Sequence, residues 1–193
     1  MKKYAKLSGT VMLIDAAFLN FVISDLKKNF ERMLGRTLRD IDLSGLLTYV
    51  ALDAGVEAGE NSIQVLFIYD ELSAQLDHCH PSDLAKELND TAFKNQFGEF
   101  SFNSFQPERM TTLEELYLES LKVVADAKEV ERLIVISFNE EYGEKVHDIL
   151  KKTDGKEIVQ FRMNEPERQT SYRWEILAYP IMQAMGIRGD ELK

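Results

Sequence analysis

Thr10-Val11-Met12-Leu13-Ile14-Asp15 is a short apolar run that ends on an acid and gives way at once to the helical pattern Ala16-Ala17-Phe18-Leu19-Asn20. A β-branched run without a polar alternation suits a strand buried on both faces, which is the condition of a strand inside a parallel sheet covered by helices. The logic returns at residues 63–69, closed by Asp70 and Glu71, and again at residues 132–137 and 157–163. A weaker aromatic run, Phe100, Phe102 and Phe105 within residues 99–106, adds a shorter strand. Helical segments lie between the strands, and that alternation predicts an α/β chain: a Rossmann-like, three-layer α/β/α arrangement around a mostly parallel sheet of five strands.

The helices are read from periodicity and from their end signals. Phe18, Val22, Leu26, Phe30 and Met33 recur every three or four residues and predict a first helix burying one face, stopped at Gly35. Asp42 opens a second, with Leu43, Leu46, Leu47, Val50 and Ala51 on one side, ending near Gly55. Thr111 or Thr112 followed by Glu114 and Glu115 signals another start, continued by Leu113, Leu116, Tyr117, Leu121 and Val124. A further helix is expected over residues 140–152. Residues 83–93 also read as helical. In the tail, Trp174, Leu177, Ile181 and Met185 have helical spacing, with Pro180 expected to kink the segment. This tail, residues 170–186, has two places to go: over the sheet edge or into a homodimer contact.

With 193 residues, 45% of them hydrophobic, and no Pro/Gly/Ser-rich linker, residues 1–193 are expected to form one domain with a core over residues 9–163. Nothing approaches the roughly 18 consecutive apolar residues of a bilayer span. The start Met1-Lys2-Lys3 is not followed by the apolar run of a secretory signal, so a soluble, cytoplasmic protein with no membrane partner is expected. The single cysteine, Cys79, excludes an internal disulfide framework and a cysteine-based zinc site. His78 and His80 flank it in a turn without a third ligand and read as surface residues.

The net charge of −10 argues against broad affinity for polyanions. Lys28, Arg32, Arg36 and Arg39, joined by Lys27, stand against that balance locally: their near-helical spacing gives either a basic stripe able to meet RNA or a solvated face complementing the helix dipole. No Gly-x-Gly-x-x-Gly or phosphate-loop pattern follows any strand, so nucleotide cofactor binding of that kind is not expected.

The chemistry-bearing residues gather at the predicted carboxyl ends of the strands, where parallel sheets build their sites. Asp15 follows the first strand; Asn139, Glu140 and Glu141 follow the fourth; Glu119 lies on the helix leading into it. Hard divalent cations take oxygen ligands and often need only one or two carboxylates plus water and substrate phosphate. Asp15 has a second reading, as the cap of the helix that begins beside it.

In these features the chain resembles the NYN domains of the PIN-like ribonuclease group. Their pattern opens with a strand ending in Asp and an Asn soon after, as Leu13-Ile14-Asp15 and Asn20 do here. Their fourth strand ends Ser-Gly-Asp-x-Asp-Phe, over which Ser137-Phe138-Asn139-Glu140-Glu141-Tyr142 lies without a gap, and Gly155-Lys156 falls on their turn into the last strand. Glu119 falls on the acid of the preceding helix. The likeness spans residues 9–163. This sequence departs from the pattern in four places: Asn20 is five residues after Asp15 rather than three, Phe138 replaces Gly, Asn139 replaces the first Asp, and Glu141 replaces the second.

The resemblance implies a PIN-like fold and a metal-dependent ribonuclease. Asp15, Glu119 and Glu141 would hold Mg²⁺ or Mn²⁺, Asn139 would add an oxygen, and Asn20 would orient the substrate. The departures support a second expectation, a PIN-like fold that has lost catalysis and serves as a binding or assembly module. A nucleotide or small-molecule binder using the same cleft is a third.

Overall fold

The computed structural model describes residues 6–193, so the reading of Met1-Lys2-Lys3 lies outside the described residues. The sheet is α/β and mostly parallel, as the apolar runs predict, but it has seven strands rather than five. In spatial order they are β5 (Ala92–Asn95), β6 (Gly98–Phe105), β3 (Asn61–Ile68), β1 (Thr10–Asp15), β7 (Arg132–Ile136), β8 (Glu157–Arg162) and β9 (Arg173–Ile176). All neighbours pair in parallel except β5 and β6. A separate parallel pair joins β2 (Ile41–Asp42) to β4 (Cys79–His80).

Central β1 is buried along its whole length because helices cover both faces. Met12 and Ile14 point into the layer formed by α1 (Ala16–Leu34), α2 (Leu43–Asp53) and α5 (Ala178–Ala184). Val11 and Leu13 point into the other, formed by α3 (Leu113–Asp126) and α4 (Asn139–Lys151). The period-two alternation of a strand thus feeds two cores from one apolar run. Among the described residues, no helix is long and apolar enough to cross a membrane.

The helix ends follow the sequence signals. Gly35 ends α1 in the left-handed conformation, φ 66°, and donates to Glu31 O. Thr112 and Glu115 form a reciprocal capping box at α3. The Lys156 ammonium caps the far end of α3, donating to Val124 O at 3.2 Å and Ala127 O at 2.7 Å, so the Gly155-Lys156 turn has a structural use here.

Two expectations fail, both at the sheet edges. The helix expected over residues 83–93 is a single π-helical turn, Leu84–Leu88, followed by β5. Asp90, at φ 61°, turns the chain, and Phe93 then stacks on Phe100 with ring centroids 4.6 Å apart, so cross-strand packing takes the apolar residues that suggested a helix. The tail is likewise part strand. Trp174 pairs with Gln160 in β9, and only from Ala178 does the chain turn helical, burying Leu177, Ile181 and Met185. Pro180 sits in the first turn of α5, where its missing N–H is no loss, and it does not kink the helix. The tail therefore extends the sheet and returns across α2.

Of the residues flanking Cys79, His80 belongs to β4, and His78, in the turn before it, accepts the Ile41 N–H at its carbonyl at 2.7 Å. Burial pushes the Cys79 thiol up to about 12, which makes it inert. The basic series does not run along one helix: Arg36 and Arg39 lie beyond the end of α1. Arg36 grips Glu191 through two bonds of 2.8 and 2.9 Å, and Arg32 bonds Asn29.

Candidate functional site at the strand ends

After β1 the chain builds β3 and β6 on one side, and α3 then carries it across to β7, β8 and β9 on the other. The crevice between the carboxyl ends of β1 and β7 is thus the topological switch point, where open α/β sheets bind ligands. Asp15, Ser137 and Phe138 stand at this point, and the first turn of α4 follows directly.

Asp15 has 0% of its surface exposed. Oδ1 accepts the Phe18 N–H at 3.0 Å, which caps α1, and Oδ2 accepts the hydroxyl of Tyr142. Burial holds its carboxyl above the ordinary carboxylate value. The bond from Tyr142 and those from the Phe18 and Ala17 amides act in the opposite direction, and the charge of Glu141 adds to the rise. Burial drives the Tyr142 phenol far above its ordinary value, and the nearby Asp15 charge adds to this, so Tyr142 is a neutral donor.

The backbone aims Tyr142 inward. Phe138 precedes α4 without a side-chain cap, the amides of Glu141 and Tyr142 both donate to Phe138 O, and Tyr142 leaves helical geometry at φ −141°, ψ 26°. This break turns the ring against Tyr117, centroids 5.5 Å apart. Phe138 itself packs over the strand ends, 5.2 Å from the Phe18 ring and 5.8 Å from the Phe21 ring. An aromatic therefore fills the space at the position where the resembled family has Gly.

Each of the other predicted residues has its own surroundings. Asn20 is buried and uses both ends of its amide on the loop after β3: Nδ2 donates to Gln75 O at 2.9 Å and Oδ1 accepts Asp77 N–H at 2.7 Å. Asn139 Oδ1 accepts from Ser137 Oγ at 3.0 Å and Gln160 Nε2 at 3.3 Å; Gln160 in turn accepts from Arg162 Nη1 at 3.2 Å. Glu141 is exposed. So is Glu119, because Tyr117 faces the sheet and two residues further along a helix is a turn of about 200°. Among the described residues, no group of three or more His, Cys, Asp or Glu side chains is placed to hold a metal ion. A cation at Asp15 would have to displace hydrogen bonds from a sealed carboxylate, so the residues present do not fit the Mg²⁺ or Mn²⁺ centre implied by the resemblance.

The parts that sequence reasoning missed are the lock from Tyr142 and the buried link Gln160. The one signal available was Phe138 in place of Gly.

Cavities flank the filled crevice on both sides. One of about 280 Å³ lies beside α4 and is lined by Asn139, His147, Arg162, Arg168 and Tyr172. His147 Nδ1 is 2.7 Å from the Tyr172 hydroxyl, and Arg168 is paired with Glu144. Another of about 510 Å³ lies between α1 and the loop after β3. A third, about 750 Å³, opens at the opposite end of the sheet beside Arg132 and Glu157, themselves paired at 2.9 Å, away from the switch point.

Comparison with known proteins gives one finding. The model of a family described as "Family of unknown function (DUF6621)" matches residues 4–192. No curated protein and no solved structure matches the chain.

Proposed function

We propose, for this chain, which belongs to the DUF6621 family, that a divergent PIN-like α/β/α fold serves as a binding or assembly module and does not perform metal-assisted hydrolysis of phosphodiesters. The observation that carries this reading is the state of Asp15. A metal-ligating carboxylate needs an open lone pair facing solvent or substrate, whereas both oxygens of Asp15 are engaged and its surface is sealed. The filling of the switch point by Phe138 and the outward position of Glu119 support the same conclusion.

The test is thermal unfolding of the purified chain with and without millimolar Mn²⁺, together with incubation on single-stranded and structured RNA. A cation bound only by the folded state raises the melting temperature by mass action. The expected result is an unchanged Tm and intact RNA. An upward shift abolished by Glu141→Gln, with Mn²⁺-dependent cleavage lost in Asp15→Asn, would restore the ribonuclease reading with Asp15, Glu119 and Glu141 around the ion.

A further inference from the structure

Resting on the reading of the chain as a binding module, we propose that the cavity between α1 and the loop after β3 is the docking site of a basic peptide segment that carries a large apolar anchor residue. The cavity presents two large apolar side chains to solvent, Phe21 at 58% exposure and Leu72 at 95%. Exposed apolar groups gathered at one concave place mark an interaction surface, where scattered ones would not.

Both walls are held before any partner arrives. Phe21 projects from α1 and its ring lies against Phe138 at 30°. Leu72 sits on the short turn Glu71–Ser73, fixed by Asp70, whose Oδ1 accepts the Leu72 and Ser73 amides, while Ser73 Oγ accepts the Asp70 N–H. Asn20 pins the next stretch of the loop through Gln75 and Asp77. Backbone that is already fixed loses little conformational freedom on binding.

Charge selects the partner. Asp25, Asp70 and Asp77 line the cavity against Lys28 alone, within a chain of net charge −10. Lysine or arginine flanking the anchor meets attraction here. An acidic peptide or an RNA backbone meets repulsion. The volume, about 510 Å³, leaves room for an anchor side chain together with its neighbours.

The experiment is a selection of random dodecapeptides displayed on phage against the full chain, counter-selected with Leu72→Ser. Recovered peptides are expected to be enriched in Lys and Arg beside Leu, Phe or Trp. A synthetic copy of the commonest one should lose at least about tenfold in affinity with Leu72→Ser and with the pair Asp25→Lys and Asp77→Lys, all of which lie at the surface, and should weaken as salt rises. Recovery of no peptide, of peptides without basic residues, or of peptides indifferent to those variants overturns the proposal. So does binding of a single-stranded RNA that Leu72→Ser removes, or self-association in sedimentation that the same change abolishes. The manganese measurement reads the parent proposal separately, since none of the substituted residues is a metal candidate there.

Discussion

The hydroxyl of Tyr142 donates to Oδ2 of Asp15 across 127 positions of sequence, and the two residues close the end of the central strand against each other. The phenol is the neutral partner and the carboxyl the group whose charge must be tolerated in a buried place.

Removing the donor tests that closure. Tyr142→Phe leaves Oδ2 buried without this partner, and the chain should lose about 1–3 kcal/mol in urea unfolding, the usual cost of stranding a buried polar group. The same change made in an Asp15→Asn background should cost less, giving a measurable coupling in a double-mutant cycle. Strict additivity of the two changes would mean that the contact carries no energy.

The pH dependence has a definite sign. The unfolded Asp15 carboxyl titrates near its ordinary value of 3.8, and the folded one titrates higher because it is buried. Between those two values the native state holds more protons than the unfolded chain, so this residue's contribution is full below 3.8, falls as pH rises through the window, and is level above it. Each unit of displacement corresponds to ~1.4 kcal/mol. The unfolding free energy of Asp15→Asn minus that of the natural chain should therefore grow as pH is raised from 3.8 and flatten once the folded carboxyl has ionised. Glu31, lowered by its Lys27 bond and the Leu38 amide, and Glu191, lowered by the Arg188 amide and its Arg36 bond, slope the other way but do so in both proteins and cancel. A difference that shrinks with rising pH would contradict the burial argument.

Phe138→Gly restores the residue type of the resembled pattern and removes the ring that rests on Phe18 and Phe21. Phe138 is only partly buried, so the loss should be roughly 2–3 kcal/mol, below the range for a fully buried aromatic. Opening the space does not free Asp15, and the melting temperature of this variant should stay indifferent to Mn²⁺. A metal-dependent rise there would show that the aromatic alone had been blocking a competent site.

Gly98 tests the pairing of β3 with β6. It opens the register opposite Asn61, at φ +122°, and a Cβ placed on it would meet the Asn61 carbonyl oxygen at 2.1 Å. Gly98→Ala should cost roughly 2–4 kcal/mol from strain and displaced backbone, read by chemical denaturation. Gly9→Ala, with nothing within 4 Å of the added atom, is the control and should stay within about 0.5 kcal/mol.

The interior strands were legible because burial on both faces leaves an unbroken apolar signature, and Thr10–Asp15 shows it in six residues. The edge strands carry no such mark. Ala92–Asn95 has half its residues exposed, and it is a strand only because β6 lies beside it. Trp174 shares a helical spacing with Leu177 and Ile181 yet belongs to the ladder with Gln160, since the open edge of β8 decides the matter. At the candidate site the position of Asp15 was readable and its task was not. An acid at a strand end can cap, ligate or do neither, and here a tyrosine far along the chain chooses. The distance of Glu119 from Ser137 in sequence says nothing about which side of α3 it occupies; the inward turn of Tyr117 puts it on the exposed side.

Tyr117 has a consequence of another kind. Its buried hydroxyl lies 3.0 Å from both Leu13 O and Ile136 O, one carbonyl on each side of the seam between β1 and β7. The segment that bears it, α3, is the same crossover that carries the chain from one wing of the sheet to the other. The connector thus reaches back to the join it creates and couples the two wings at that seam. Deuterium should enter the amides of both strands together, at the slow rate of whole-molecule opening, rather than wing by wing.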